Sequence, residues 1–180
     1  MSDQSKIILS SQQLSLTINR LSFEIIENQN NFQDLVIIGI QPRGVVLSKE
    51  IHEILENRTN IKIKSGYLDT TFFRDDFRRR EDVIIPNHTN IDFSLEDKRV
   101  VLIDDVLFTG RSIRSALDAI VSFGRPASVE LLVLIDRRFS RELPIQPHYI
   151  GKSVDVIDNE YVVVNLDSDN RNVILLNKQV

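Results

Sequence analysis

Hydrophobic positions along the chain follow two different periods. Leu14, Ile18, Leu21 and Ile25 recur at steps of four, three and four, which places them on one face of a helix. Ser10 or Ser11 just before them suits a helix N-cap, because a serine hydroxyl accepts from a backbone N–H that the first turn leaves unpaired. Other segments are short, continuous apolar runs. DLVIIGI (34–40), VVLI (100–103) and SVELLVLI (128–135) read as strands covered on both faces, as in a parallel sheet. Residues 45–56 and 112–123 read as helices, the second stopped by Gly124 and Pro126. IKIKSGYLDTTFF (61–73) is a strand, or two strands broken at Gly66, and short strands are expected at 6–9, near Tyr149, at 161–164 and at 173–176. Residues 74–92 are polar and are expected to form a mobile loop. With no internal repeat and no low-complexity linker, the chain reads as one domain over 1–180.

Strands alternating with helices predict an α/β domain with a mainly parallel sheet flanked by helices. Such sheets bind ligands beyond the C-terminal ends of their strands. The loops after Ile40, Ile103 and Ile135 are therefore expected to open on one common edge.

Composition narrows the chemistry. A net charge of -4 gives no global attraction to nucleic acid and leaves only a local basic face for such a partner. The absence of cysteine rules out a disulfide framework and a thiolate metal site. His52, His88 and His148 are scattered and lack metal-ligand spacing. The N-terminus has no apolar signal core, and no run approaches the roughly 20 apolar residues of a spanning helix, so no membrane partner and a cytoplasmic location are expected.

The most informative stretch is VVLIDDVLFTGRS (100–112). Asp104 and Asp105 stand where the apolar run ends, and a bare pair of this kind reads first as a turn cap beside a solvated carboxylate. The residues that follow favour a ligand. They offer successive backbone N–H groups, a glycine (Gly110) free to take positive φ, hydroxyls at Thr109 and Ser112, and then a helix N-terminus. Together these make an anion cradle suited to a phosphate monoester. It is not a Walker A loop, which needs GxxxxGK[ST]. Carboxylates beside a phosphate cradle suggest a phosphorylated polyol whose hydroxyls the acids accept. A Mg²⁺ shared with a pyrophosphate would relieve the repulsion of the pair.

VVLIDDVLFTGRS resembles the phosphoribosyl pyrophosphate (PRPP) motif of type I phosphoribosyltransferases. GIQPRG (39–44), LDTTFFRDD (68–76), ALDAIVSFGRPASVELLVLIDR (116–137) and RELPIQPHYIGKSV (141–154) resemble the bacterial pyrimidine operon regulators, the PyrR family. Members of that family are uracil phosphoribosyltransferases, and many also bind mRNA as uridylate-sensing attenuators. The resemblance implies a type I phosphoribosyltransferase fold with a small hood from 1–10 and 140–180 and a flexible lid over 74–92. It implies that Asp104 and Asp105 hold the ribose 2′- and 3′-hydroxyls and help to hold Mg²⁺. The 5′-phosphate would lie against Val106, Leu107, Phe108, Thr109, Gly110, Arg111 and Ser112. Pyrophosphate would lie against Gln41, Pro42, Arg43 and Gly44, with Arg74 from the lid.

Relatives usually carry Lys-Thr in place of Gln41-Pro42, so one positive charge is missing from the pyrophosphate loop. Related loops often contain a cis peptide. An X-Pro bond lowers the cost of cis from about 2.5–4 to about 0.5–1 kcal/mol, so a cis Gln41–Pro42 bond is expected. RDDFRRRED (74–82), with Arg74, Arg78, Arg79 and Arg80, reads from its mixed charge as a solvated loop and from the resemblance as the lid.

Uracil would meet Asp136, Arg137, Tyr149, Ile150 and Gly151, with HYIGKSV in the hood. RRFS (137–140) replaces a shorter glycine-containing turn of the relatives, and Asp136 reads equally as a turn former. The implied reaction is uracil plus PRPP giving UMP and pyrophosphate. 6-Oxopurine transferases place an acid just before the Thr-Gly, beside purine N7. Phe108 stands there and cannot exchange a proton, which favours a pyrimidine.

Leader mRNA of pyrimidine genes is a further implied partner, and phosphate contacts need basic residues. The helix expected after Ser10 carries Arg20 against Glu24 and Glu27; Arg111, Arg114 and Arg141 are other candidates. Enzyme, attenuator and a UMP-binding sensor without turnover stand as alternatives. The resemblance also implies a homo-oligomer, a dimer or larger.

Overall fold

A computed structural model describes residues 5–29, 31–73, 88–156, 160–166 and 171–177. The elements in chain order are β1 (Lys6–Leu9), α1 (Ser11–Asn28), β2 (Leu35–Ile40), α2 (Arg43–Thr59) and β3 (Lys64–Leu68), then a 3₁₀ turn at Thr71–Phe73. They continue with β4 (Arg99–Leu107), α3 (Arg111–Ile120), a 3₁₀ turn at Val121–Phe123, β5 (Ser128–Arg138), β6 (Tyr149–Asp155), β7 (Glu160–Asn165) and β8 (Asn172–Asn177). A five-stranded sheet runs in the order β3-β2-β4-β5-β6, with every pair parallel. A second, antiparallel sheet of three strands has the order β1-β8-β7.

Local signals account for the first helix. Ser10 is its N-cap: the hydroxyl accepts from the Gln13 N–H, and the Gln13 side chain accepts in return from the Ser10 N–H. Leu14, Ile18, Leu21 and Ile25 are fully buried on one face. All six residues of β2 are buried, as required of a strand with a core on each side. The pleat divides them. Leu35 and Ile37 join the core under α1 and α2, whereas Val36, Ile38 and Ile40 join the core under α3. On β4, Val101 and Ile103 face the first core, and Val100 and Leu102 the second. Each such side chain, fully buried, contributes roughly 1.5–3 kcal/mol.

Several boundaries differ from the sequence expectation. β4 does not stop at Ile103. It runs through Asp104 and Asp105 to Leu107, because β5 continues beside it and pairs Val106 with Ile135 and Leu107 with Asp136. β5 likewise extends through Asp136 and Arg137 to Arg138, since β6 pairs with it as far as Arg138↔Asp155. Residues 149–155, expected in the hood, are therefore the edge strand of the main sheet. Gly66 does not break β3. A Cβ there would lie 2.7 Å from the Asn90 carbonyl oxygen, so this glycine admits the returning chain, which bridges Tyr67 to Asn90.

Candidate active site

The C-terminal ends of β2, β3 and β4 surround a cavity of about 320 Å³, lined by residues 40–43, Thr70, residues 104–106 and Ser112. Two strand-to-helix connections thus open on one edge, as the parallel order requires.

Asp104 and Asp105, successive residues of β4, both line the cavity. The Asp105 N–H donates to Asp104 Oδ1, and the Val106 N–H donates to Asp105 Oδ1, both at 2.9 Å. Asp105 Oδ2 is buried with no hydrogen-bond partner; Arg43 Nη1 stands 3.7 Å from it. Burial pushes the Asp104 carboxyl well above its ordinary range, and the Asp105 charge adds to the rise. The Asp105 N–H and the Arg43 charge oppose it. A buried carboxylate oxygen without a donor, on a residue that lines a polar cavity, suits a hydroxyl or a divalent cation. Among the described residues no cluster of three metal-ligating side chains exists, so a Mg²⁺ at this pair would complete its shell with substrate and water oxygens. Both residues lie within β4 rather than in a turn, with Asp105 buried and Asp104 half-buried.

The connection from β4 to α3 contains Phe108, Thr109 and Gly110, three of the residues expected around the 5′-phosphate. Gly110 has φ 91°, a conformation that disfavours a side chain, and it is the residue just before α3. Thr109 Oγ1 accepts from the Arg111 N–H at 3.4 Å. Val106 and Ser112 line the cavity, whereas the Leu107 side chain is buried in the core under α3.

The connection from β2 to α2 contains a cis Gln41–Pro42 bond, as expected. Gly44 packs onto β4: a Cβ there would lie 2.4 Å from the Ile103 carbonyl oxygen. The Gln41 N–H donates to the Leu68 carbonyl at 2.9 Å, and its side-chain amide to the His88 carbonyl at 2.7 Å. Gln41 thus ties this loop to the chain beyond β3. Arg74, Arg78, Arg79 and Arg80, and the expected lid up to residue 87, lie outside the described residues.

The five residues expected around uracil do not line this cavity. Asp136 is buried within β5 and bonded to Arg141, which excludes a turn-forming role. The Arg137 guanidinium lies over the Phe108 ring, 4.0 Å from its centroid, and donates to the Glu160 carbonyl at 3.3 Å. Burial pulls its pKa down, against the Glu160 charge. Phe108 remains 46% exposed, so the expected pyrimidine-favouring residue is accessible and backed by Arg137.

Tyr149 is a core residue. It is 2% exposed, and its hydroxyl donates to Glu130 at 2.7 Å. Burial first, then Glu130, push its pKa up to about 12. Glu130 pairs with Val101, three residues before the aspartates, so this hydroxyl points back toward the strand N-termini. The Ile150 and Gly151 carbonyls accept from Arg20 Nη2 at 2.9 and 2.7 Å, which turns them toward α1. The cause is the placement of 149–155 beside β5.

The basic candidates are all paired: Arg20 with Glu24, Arg111 with Glu142, Arg114 with Asp118 and Arg141 with Asp136. The sequence reading missed Thr70, which is 6% exposed and lines the cavity, and it gave Arg141 no part in the site. Thr70 stands in the LDTTFF block, the only signal for it. A second cavity of about 360 Å³ lies between α2 and β3, but Lys49 there stacks on Tyr67 and His52 is bonded to the Ile63 carbonyl.

The phosphoribosyl transferase domain family matches residues 4–171. The chain is 43% identical over 172 residues to the "Bifunctional protein PyrR" of Caldicellulosiruptor bescii, covering 94% of each. It is 42% identical over 174 residues to the "Pyrimidine operon regulatory protein" of Lactococcus lactis subsp. cremoris, covering 97% of each. The hypoxanthine phosphoribosyltransferase of Trypanosoma cruzi superposes with a TM-score of 0.71 at 16% identity, covering 97% of each chain. That of Staphylococcus aureus superposes with a TM-score of 0.70 at 19% identity, covering 97% of this chain and 92% of the other. These two show a shared fold. The match across nearly the whole chain, with the aspartate pair and the glycine turn before α3 on one sheet edge, places this protein in the phosphoribosyltransferase family, among the PyrR proteins.

Proposed function

We propose that the protein is a uracil phosphoribosyltransferase that joins uracil to PRPP, giving UMP and pyrophosphate. The observation that carries this reading is the Asp104–Asp105 pair, with one buried oxygen that accepts no hydrogen bond, in one cavity with Val106 and Ser112, the residues that flank the Gly110 turn. Asp104 and Asp105 accept from the ribose hydroxyls. The Thr109 and Gly110 N–H groups, with the Thr109 and Ser112 hydroxyls, hold the 5′-phosphate at the start of α3. Arg43 and the backbone of 41–44 hold the pyrophosphate. The two carboxylates fit Mg²⁺, which when bound neutralises charge on the leaving group.

As the ribose C1–oxygen bond to pyrophosphate breaks, a cationic ribosyl centre develops, and uracil N1 bonds to C1 and gives its proton to solvent. The chain supplies orientation and a preorganised anion site, with no covalent nucleophile. Phe108 favours a pyrimidine because it offers no carboxylate to a purine N7.

The purified chain, given PRPP, Mg²⁺ and either uracil, hypoxanthine or orotate, is expected to form UMP fastest. Faster formation of IMP would overturn the assignment. A second reading, control of pyrimidine genes through their leader RNA, is supported by the Lactococcus lactis relative, a pyrimidine operon regulatory protein. UMP-enhanced retention of such an RNA on a filter tests it, and binding indifferent to UMP would sink it. Oligomer size, expected to be a dimer or larger, is read by light scattering.

A further inference from the structure

A trans peptide is planar, so its carbonyl and the N–H of the next residue point in opposite directions. In the connection between β4 and α3, two successive carbonyls are occupied from one side. The Phe108 carbonyl accepts from Arg141 Nη1. The Thr109 carbonyl accepts from the N–H groups of Glu142, at 3.0 Å, and Leu143, at 3.2 Å. The N–H groups that share these peptides belong to Thr109 and Gly110, and they therefore face away from residues 141–143.

Arg141 is itself fixed. Its Nη2 donates to the carboxylate of Asp136, which is buried within β5. The Glu142 carboxylate accepts from Arg111 Nε, at the first turn of α3, at 2.7 Å. Ile145 lies against Gly110, with its Cδ1 3.3 Å from where a Cβ would stand. A segment 33 residues away in sequence thus grips the loop by its carbonyl side.

We propose that Arg141 is a positioning residue of the 5′-phosphate site: by tying the Phe108 carbonyl to the Asp136 carboxylate, it aims the Thr109 and Gly110 amides at the phosphate. This rests on reading 106–112 as the phosphate cradle. Arg141 needs no contact with the ligand. The two bonds leave from different nitrogens of one planar guanidinium, a fork that an ammonium group lacks.

The test uses the full chain, R141K, D136N and the double variant. Binding of ribose 5-phosphate and of inorganic pyrophosphate is measured by calorimetry, with PRPP kinetics and thermal unfolding alongside. Each single variant is expected to weaken ribose 5-phosphate binding about tenfold, as suits a lost charge-assisted bond. The double variant should be no weaker than the singles, since both break one clamp. Pyrophosphate binding should be unchanged, and KM for PRPP should rise with kcat little altered.

Unchanged ribose 5-phosphate binding in R141K would overturn the proposal. So would a loss in R141K that D136N does not share, which would mean direct contact with phosphate. Equal loss of both ligands, with a lowered unfolding temperature, would show a merely structural role. A wild-type chain that binds ribose 5-phosphate but does not transfer to uracil would sink the proposed reaction and leave this clamp standing or falling on the same binding data. A wild-type chain that binds no ribose 5-phosphate would sink both.

Discussion

The two connections that border the cavity occupy the same place in the topology, each between a buried strand and a helix, yet they are held by different forces. The β2–α2 connection is set chiefly by close approach, with the Gln41 bonds to the Leu68 and His88 carbonyls beside it. Gly39 and Gly44 lie so near Ser48 and Ile103 that a Cβ would stand 2.3 and 2.4 Å from their oxygens. The β4–α3 connection is held by polar bonds from residues 141–143. Packing of glycine against neighbouring atoms is unforgiving, and at Gly44 the neighbour is the β4 backbone. A clamp of hydrogen bonds is adjustable, and it depends on a distant segment. Arg43, at the start of α2, and Asp105, near the end of β4, join the two across 3.7 Å.

This contrast can be tested, beginning where the largest effect is expected. D105N keeps the shape of the joint and removes the charge that faces Arg43 and, in the proposed reaction, the ribose. Uracil transfer should fall by about 10²–10³-fold, the range for a lost preorganised electrostatic contact, while the fold persists by circular dichroism. Activity within a few-fold of wild type would remove Asp105 from the site.

G44A tests the steric half. Its methyl group must displace the β4 backbone, which should cost about 1–3 kcal/mol in denaturant unfolding. An unchanged midpoint would show that α2 can slide. Q41A should act more weakly, raising KM for PRPP by a few-fold through loss of the bond to His88. Q41K should lower that KM if added charge outweighs the lost bond. Equal KM values for wild type and both variants would detach Gln41 from pyrophosphate.

Y149F provides the smallest effect, remote from both loops. The folded pKa of Tyr149 is raised above the ordinary value near 10 to about 12, so its contribution is complete below pH 10 and lost as pH rises toward 12. Stability of wild type should fall over that window, and Y149F should flatten this component. A fall of equal steepness in Y149F would assign it to other groups.

How much of this was legible in the sequence varies with how local the cause is. The Ser10 cap, the buried face of α1 and the apolar run of β2 are all decided by residues within a turn or a strand of one another. The Gly110 turn was legible for the same reason: a glycine at positive φ just before α3 is a local requirement. The ends of β4 and β5 were not. Asp104, Asp105, Asp136 and Arg137 are polar and read as loop, but their backbones pair with neighbouring strands that only the assembled sheet supplies.

Tyr149, Ile150 and Gly151 were drawn toward uracil by motif alone. Burial of Tyr149 against Glu130, and Arg20 reaching two carbonyls, gave them other tasks. The sequence by itself determined the alternation of elements, the parallel sheet and the carboxylate pair beside a glycine turn, because periodicity and turn chemistry act over a few residues. Only the tertiary structure decided which carbonyls Arg141 and the 142–143 backbone occupy, and hence which amides remain for a ligand, because hydrogen bonds across 33 residues of chain leave no local pattern.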